Sequence, residues 1–148
     1  MEDMERRSIT NEFVKPELVT NLREVWPLVK NGLEHILNEN PQLTFIPEDV
    51  YSECVNERAF LFTSPIGFLV FTIEIDRYTK DKTLYMWIAY TYVKGGHQWS
   101  SHEEWMERVA KELNCKFIEA QSNVPGFESY AVENGWKLDT RIYRRKVK

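Results

Sequence analysis

The feature that most constrains the fold is the stretch from Thr83 to Ser122, whose pattern indicates a strand, a glycine-containing loop, a helix and a second strand. Thr83–Val93 is almost wholly apolar or aromatic, whereas a strand buried on one face only alternates between apolar and polar residues. We therefore predict a strand covered on both faces, as is typical of a central strand in an α/β sheet. Lys116–Gln121 is predicted to be the second strand. Two strands joined through a helix pair in parallel by a right-handed crossover.

The loop between this strand and the helix is the predicted binding position. It lies at the carboxyl end of a central strand, where ligands bind in open α/β sheets. It also precedes a helix amino end, which favours anions. Ser101 with Glu104, and Ser100 with Glu103, each match a capping box. The apolar residues of this helix predict one buried stripe, made of Trp105, Met106, Val109, Ala110 and Leu113.

The first third of the chain indicates helices. Pro16 fits the first turn of a helix, and apolar residues recur at helical spacing from Leu18 to Leu37. Pro27 lies inside this pattern and predicts either a kink or two helices that meet near Trp26. Pro47 opens a second, shorter helix. Residues 1–12 are polar, and they either fray or contribute a first strand over residues 8–14.

The remaining segments complete one α/β domain of 148 residues. Ala59–Thr63, Phe68–Asp76 and Thr83–Val93 predict a three-strand antiparallel meander, since turn residues separate the first two strands. Phe127–Asn134 is predicted to be a short helix that Gly135 ends. Trp136–Val147 is predicted to be a final strand.

Composition limits the classes of function. The net charge of −4 argues against a general nucleic-acid-binding surface, and 14% aromatic residues argue against disorder. The start of the chain lacks the apolar segment of a secretory signal, and no run of apolar residues is long enough to predict a membrane-spanning helix. We expect a soluble, cytoplasmic protein with reduced thiols at Cys54 and Cys115. The last eight residues are locally basic, and a solvated tail is favoured there over a phosphate-binding patch; the basic residues are Arg141, Arg144, Arg145, Lys146 and Lys148.

The order of these elements resembles the GNAT superfamily of acyl-CoA N-acyltransferases, from about Leu18 to Val147. The resemblance rests on the topology and on residues 107–136, ERVAKELNCKFIEAQSNVPGFESYAVENGW. The adjacent glycines of the loop and the Gly-Phe and Gly-Trp pairs of the last third look most similar to divergent GNAT-like proteins of phages and prophages. The resemblance implies a mixed sheet in which the central strand splays away from its parallel neighbour.

The resemblance also implies acetyl-CoA as the cofactor. Its pantetheine arm would bond to the strand backbone at Tyr92 and Val93, and Asn123 would join the cofactor site. The pyrophosphate would lie on amides of the loop, whose implied binding residues are Gly95, Gly96, His97 and Ser100. The loop Lys94-Gly95-Gly96-His97-Gln98-Trp99-Ser100 departs from the usual Gln/Arg-x-x-Gly-x-Gly/Ala of the family, so a plain turn into a capped helix is the alternative.

The implied catalytic residues are Tyr130, Glu119 and Glu74. Tyr130 follows Asn123 at the spacing of the family and would be the general acid that reprotonates the leaving thiolate. The alternative is that Tyr130 packs with Phe127. A base must also deprotonate the acceptor amine. Thr83–Val93 has no carboxylate, so Glu74 and Glu119 are the nearest candidates, and a solvated strand face is the alternative for each.

Three functional hypotheses follow. The first is an N-acyltransferase that moves an acetyl group from acetyl-CoA to an amine or protein acceptor, with a homodimer as a further possibility. The second is a catalytically silent GNAT-fold phage protein that binds a host or virion protein in the host cytoplasm. The third, nucleic-acid binding through the basic tail, is disfavoured by the net charge. The three histidines lack metal-ligand spacing with the cysteines, so no metal site is predicted.

Overall fold

The structure is a computed structural model that describes residues 14–92, 102–122 and 126–148. In these ranges it contains five strands and four helices. In chain order they are β1 (Glu17–Leu18), α1 (Leu22–Glu39), α2 (Pro47–Val55), β2 (Phe60–Ser64), β3 (Gly67–Ile75), β4 (Lys82–Thr91), α3 (Glu103–Glu112), β5 (Phe117–Ala120) and α4 (Phe127–Glu133).

The five strands form one mixed sheet in the order β1-β2-β3-β4-β5. Strands β1 to β4 are antiparallel, and β5 pairs in parallel with β4. The predicted meander and the predicted parallel pair are both confirmed, because β2 to β4 follow one another through short turns and α3 carries the crossover to β5. The fold class is therefore the mixed α/β sheet that the sequence predicts.

Two apolar clusters cover opposite faces of the sheet. The first packs α1 and α2 on one face through Val29, Leu33 and Val50. The second packs α3 on the other face through Trp105 and Met106. The predicted stripe of α3 is thus confirmed, because its residues lie in or against the second cluster. We call these the α1 face and the α3 face of the sheet.

Strand β4 supplies buried residues to both faces. Leu84 is buried on the α3 face and Ile88 on the α1 face, which confirms the prediction of a strand covered on both sides. A register shift makes this possible, because Val70 of β3 pairs with Ile88 whereas its neighbour Phe71 pairs with Met86. The extra residue, Trp87, is a β-bulge, and a bulge of this kind reverses which side chains point to which face.

Three predictions about the ends of elements are wrong. Pro16 does not begin a helix. It is buried ahead of β1, where a residue without an N–H suits the start of an edge strand, and Val19 N–H donates to the Leu61 carbonyl at 2.9 Å. The helix α1 begins only at Leu22 and runs through Pro27 as one helix, so the two-helix alternative is excluded.

The capping box is the second error. The N-cap of α3 is His102, and neither serine occupies that position; Ser100 and Ser101 lie outside the described residues. The sequence also predicts that Asn114 closes α3 and that Gly135 ends α4, and both predictions are confirmed, since Asn114 has φ of 58° and Gly135 has φ of 80°. Both angles are in the left-handed region that helix ends favour.

The third error is the final strand, because residues 136–148 contain no regular secondary structure. A strand is stable only when another strand pairs with it and one face is buried. Leu138, Ile142, Tyr143 and Val147 are instead exposed, at 63% or more of their surface. The apolar residues of this segment therefore have no buried face to occupy among the described residues.

Candidate active site

The opening between β4 and β5 is the central feature of the site. The two strands pair only from Thr83 with Phe117 to Met86 with Ala120, whereas β4 continues to Thr91. We call residues 87–91 the open half of β4. In this half the side chain of Ala89 is exposed, although it lies in the second strand from the edge of the sheet. Among the described residues, the carboxyl-terminal half of this central strand therefore has no β5 partner, and we call the space beside it the groove.

The backbone groups of the open half face in alternating directions. Tyr92 N–H donates to the Ile66 carbonyl at 2.9 Å, so this amide is used on the β3 side of the strand. Because neighbouring residues of a strand point their backbone groups to opposite edges, Thr91 and Ala89 direct theirs away from β3, towards the groove. Tyr92 was a predicted cofactor ligand, and its N–H is not available for that role.

Most of the predicted cofactor ligands cannot be placed. Val93, Gly95, Gly96, His97, Ser100 and Asn123 lie outside the described residues. The described part of this region is the start of α3, where Glu103 and Glu104 occupy the first turn. Acidic residues there interact favourably with the helix dipole.

Glu103 connects this helix to α4 and to the segment after it. The Tyr130 hydroxyl donates a hydrogen bond to its carboxylate, and Trp136 Nε1–H donates at 3.3 Å and 3.2 Å to the two carboxylate oxygens. The Phe127 and Tyr130 rings are also in contact, with centroids 5.9 Å apart. Tyr130 thus packs with Phe127 while its hydroxyl is bound at the amino end of α3.

The environment of Tyr130 keeps its hydroxyl protonated. Burial raises its pKa first, and the hydrogen bond to Glu103 and the negative charge of that carboxylate raise it further. A neutral phenol can donate a proton, as a general acid must. The role of Tyr130 as this acid stays a prediction.

The two predicted bases lie on either side of Tyr85, on the α1 face of the sheet. Glu119 is directly opposite Tyr85, and Glu74 is opposite Thr83. Both carboxylates are exposed, and burial followed by their negative charges raises the pKa of Tyr85. Glu119 lies two register positions before the open half begins at Trp87, whereas Glu74 lies four positions before it, about 13 Å along the strand. Glu119 is therefore the better placed of the two, and both roles stay predictions.

A further group of polar residues beside the groove has no role in the sequence interpretation. The Tyr90 hydroxyl lies 2.9 Å from His35 Nδ1, and His35 Nε2 lies 3.1 Å from Glu39 Oε1. The spacing of His35 and Glu39, four residues apart on one helix, was a usable signal. Their contact with Tyr90 crosses 55 positions of sequence, and no local pattern indicates it.

The remaining polar features lie apart from the groove residues. His102 is buried, and its Nε2 is 3.2 Å from the Val14 carbonyl oxygen. A shallow cavity of about 340 Å³ lies between α1 and α2, and its lining includes Arg23, Trp26 and Glu48. Among the described residues, no three His, Cys, Asp or Glu side chains are grouped so that they could bind a metal ion. The helices of the described ranges include none with the length and hydropathy needed to cross a bilayer.

The fold is that of the GNAT acetyltransferases. A GNAT family acetyltransferase of Staphylococcus aureus superposes with a TM-score of 0.55 at 16% identity, over 90% of this chain and 98% of that one. A candidate acetyltransferase of Clostridium difficile 630 gives a TM-score of 0.66 at 12% identity, over 93% and 99%. A candidate acetyltransferase of Pyrococcus furiosus gives 0.65 at 16%, over 90% and 100%.

Sequence comparison adds nothing to this likeness, since no protein-family profile and no curated protein matches the chain significantly. Identities of 16% or less show a shared fold and leave activity to be argued from the site.

Proposed function

We propose that this protein is an N-acyltransferase that uses acetyl-CoA and transfers its acetyl group to an amine. The observation that carries the proposal is the groove along the open half of β4. A strand edge that is not paired with another strand offers N–H and C=O groups to an extended ligand. The pantetheine arm contains two amides, and it would bond to the backbone of the open half of β4 at Ala89.

The position of the groove supports the same reading. It lies at the carboxyl end of a strand that a crossover helix connects to its parallel neighbour, which is where ligands bind in open α/β sheets. The loop residues 95–100 would hold the pyrophosphate, and Tyr130 would supply the proton for the CoA thiolate. The solved GNAT structures support the fold that such a site requires.

Calorimetric titration of CoA and acetyl-CoA into the protein tests the proposal. Ala89→Trp fills the groove with a large side chain, and we expect it to weaken CoA binding at least tenfold. Ser52→Trp is the matched control, because Ser52 is exposed on α2. This helix packs on the α1 face of the sheet, whereas Ala89 pairs with Leu69, a residue of the α3 face. Circular dichroism and thermal melting show whether each variant is folded. Micromolar binding by the wild type that Ala89→Trp loses and Ser52→Trp keeps supports the proposal, and no heat with millimolar CoA refutes it.

A catalytically silent binding protein, including one encoded by a phage, is the second candidate. The observation that favours it is the C-terminal segment 137–148, in which four large apolar side chains are exposed beside a run of basic residues. Such a surface suits a protein partner. A wild type that does not bind CoA, together with a C-terminal segment that becomes protected from proteolysis in a complex, would favour this candidate.

A further inference from the structure

Three side chains form a hydrogen-bonded chain that connects β4 to α1. It runs from the Tyr90 hydroxyl to His35 Nδ1, at 2.9 Å, and from His35 Nε2 to Glu39 Oε1, at 3.1 Å. A carboxylate can only accept a hydrogen bond, so an imidazole with a single proton carries it on Nε2 in this arrangement. Nδ1 then has a lone pair, and the Tyr90 hydroxyl donates to it. Each group thus donates to the next, from Tyr90 through His35 to Glu39.

Packing around the Tyr90 ring holds this chain in place. The ring lies 5.3 Å from the Phe68 ring and 6.0 Å from the Tyr92 ring, measured between centroids. It also lies against α1 at Gly32, where a Cβ atom would come within 2.9 Å of it. Glycine at this position lets the ring approach the helix, so that the hydroxyl reaches His35 about one turn further along. The arrangement is therefore ordered before any substrate binds, as catalytic groups must be.

The hydrogen-bonded chain begins at Tyr90, a residue of the open half of β4, and ends at the exposed Glu39. Tyr90 belongs to the residues of β4 that have no β5 partner, and its side chain is on the α1 face. His35 and Glu39 are exposed over 42% and 57% of their side chains. The described titratable groups in contact with His35 are Glu39 on its own helix and Tyr90 on β4, and Tyr92 lies beyond Tyr90. A proton taken up at Tyr90 can therefore pass to His35 and leave to water.

We propose that Tyr90, His35 and Glu39 form the general-base relay that deprotonates the acceptor, a primary amine that is an ammonium ion in solution. This proposal rests on the proposed N-acyltransferase function. The aromatic rings of Tyr90 and Tyr92 and the carboxylate of Glu39 suit a cationic group. Glu119 and Glu74, the bases implied by the family resemblance, are then not required for proton removal.

The protons and bonds of the reaction balance as follows. The ammonium gives one proton to the Tyr90 oxygen while the Tyr90 proton passes to His35 Nδ1, and Glu39 stabilises the imidazolium that forms. The free amine attacks the thioester carbonyl carbon, forming the C–N bond. The C–S bond then breaks, the nitrogen loses its second proton, and the thiolate takes up one. The products are an amide, the CoA thiol and one proton, which His35 returns to water.

The test measures kcat/KM against pH by release of the CoA thiol, detected with a disulfide reagent. Acetyl-CoA is the donor, and spermidine, tyramine and glycyl-glycine are the amine probes. Tyr90→Phe removes the hydroxyl and keeps the ring, and His35→Gln removes the imidazole. We expect each to lower kcat/KM by 10²- to 10⁴-fold near neutral pH, the usual contribution of general acid–base catalysis. The double variant should be no slower than the slower single variant, because the two residues act as one unit.

High pH separates a base from a purely structural contact. As the pH approaches about 10, a primary amine is deprotonated without help, so the deficit of both variants should shrink by tenfold or more. A structural role predicts the same deficit at every pH. Tyr51→Phe is the matched control, since it removes a half-buried hydroxyl from α2 on the same face of the sheet, and its profile should follow the wild type.

The outcomes distinguish the relay from the proposed function. A wild type that binds CoA, with Tyr90→Phe and His35→Gln at wild-type rates, overturns the relay and leaves the proposed function standing. If Glu119→Gln is the only variant with a pH-dependent deficit in kcat/KM, the relay is likewise overturned and the proposed function stands. A protein that binds acetyl-CoA and releases no thiol with any of the three amines overturns the relay as a base for protonated primary amines. A wild type that binds no CoA overturns both.

Discussion

Gly67 is the residue whose substitution most directly tests the packing of the groove strand. It begins β3 and pairs with Thr91 at the end of β4. A Cβ atom at this position would lie 1.9 Å from the Tyr90 carbonyl oxygen and 2.9 Å from Thr91 Cα. Both of these atoms belong to the backbone, so no side-chain rotation relieves the contact in Gly67→Ala.

The cost follows from the distance that the strands must move. An ordinary contact begins near 3.4 Å, so β3 and β4 would separate here by about 1.5 Å. Ladder hydrogen bonds such as Tyr92 N–H to the Ile66 carbonyl, at 2.9 Å, would then be lost. Losing about two buried backbone hydrogen bonds costs about 1–3 kcal/mol each. The smaller entropy of the unfolded alanine chain offsets about 0.5–1 kcal/mol. The net expectation is a loss of about 3 kcal/mol in the free energy of unfolding.

Urea unfolding followed by tryptophan fluorescence measures this loss, because the chain has five tryptophans. With a slope of about 2 kcal/mol per molar urea, the midpoint should fall by about 1.5 M. Gly135→Ala is the matched control. Gly135 has φ of 80° and no atom near its Cβ position, so only the left-handed backbone opposes alanine, at about 1–2 kcal/mol. If Gly67→Ala were no less stable than Gly135→Ala, the argument from the close approach of β3 and β4 would be refuted.

Three further predictions follow from the titratable groups. Glu103→Gln should lower the pKa of Tyr130, since it removes the negative charge and leaves only a neutral hydrogen-bond acceptor; the ultraviolet absorbance of tyrosinate measures the change, and an unchanged titration would contradict the contact between Tyr130 and the Glu103 carboxylate. Because the pKa of Tyr130 is raised in the folded protein, its contribution to the free energy of unfolding should be constant below pH 10 and fall above it, which urea unfolding at several alkaline pH values can check. Burial raises the pKa of Cys54 to about 11, so at pH 8 its alkylation by iodoacetamide should be roughly 200-fold slower than that of a free thiol, and peptide mass spectrometry that found it alkylated first would contradict its burial.

The sequence was sufficient for the elements whose signals are local. The apolar run of β4, the stripe of α3 and the left-handed residue Asn114 predict structures that are present. Each depends on residues within a few positions of one another, where periodicity and backbone preference act directly. The strand–helix–strand order then predicts a right-handed crossover and parallel pairing of the two strands.

The sequence failed where the outcome depends on a distant partner. Trp136–Val147 is predicted to be a strand, yet the described sheet provides no buried face for it. Pro16 looks like the start of a helix, yet Glu17 and Leu18 pair with β2 and form β1. Gly67 follows the turn residues that separate β2 from β3, and only the structure shows that it allows β4 to approach closely.

One part of the candidate site is predicted by local sequence patterns, and the other depends on contacts between distant residues. The apolar strand, the crossover and the glycine loop predict a binding position at the carboxyl end of β4, because strand order and helix polarity are properties of the chain itself. Only the tertiary structure decides that the bulge at Trp87 turns Tyr90 towards α1, and that Gly32 lets its ring reach His35. The physical reason is that hydrogen bonds between side chains depend on atomic positions in three dimensions, whereas local sequence patterns specify only which face of an element a side chain occupies.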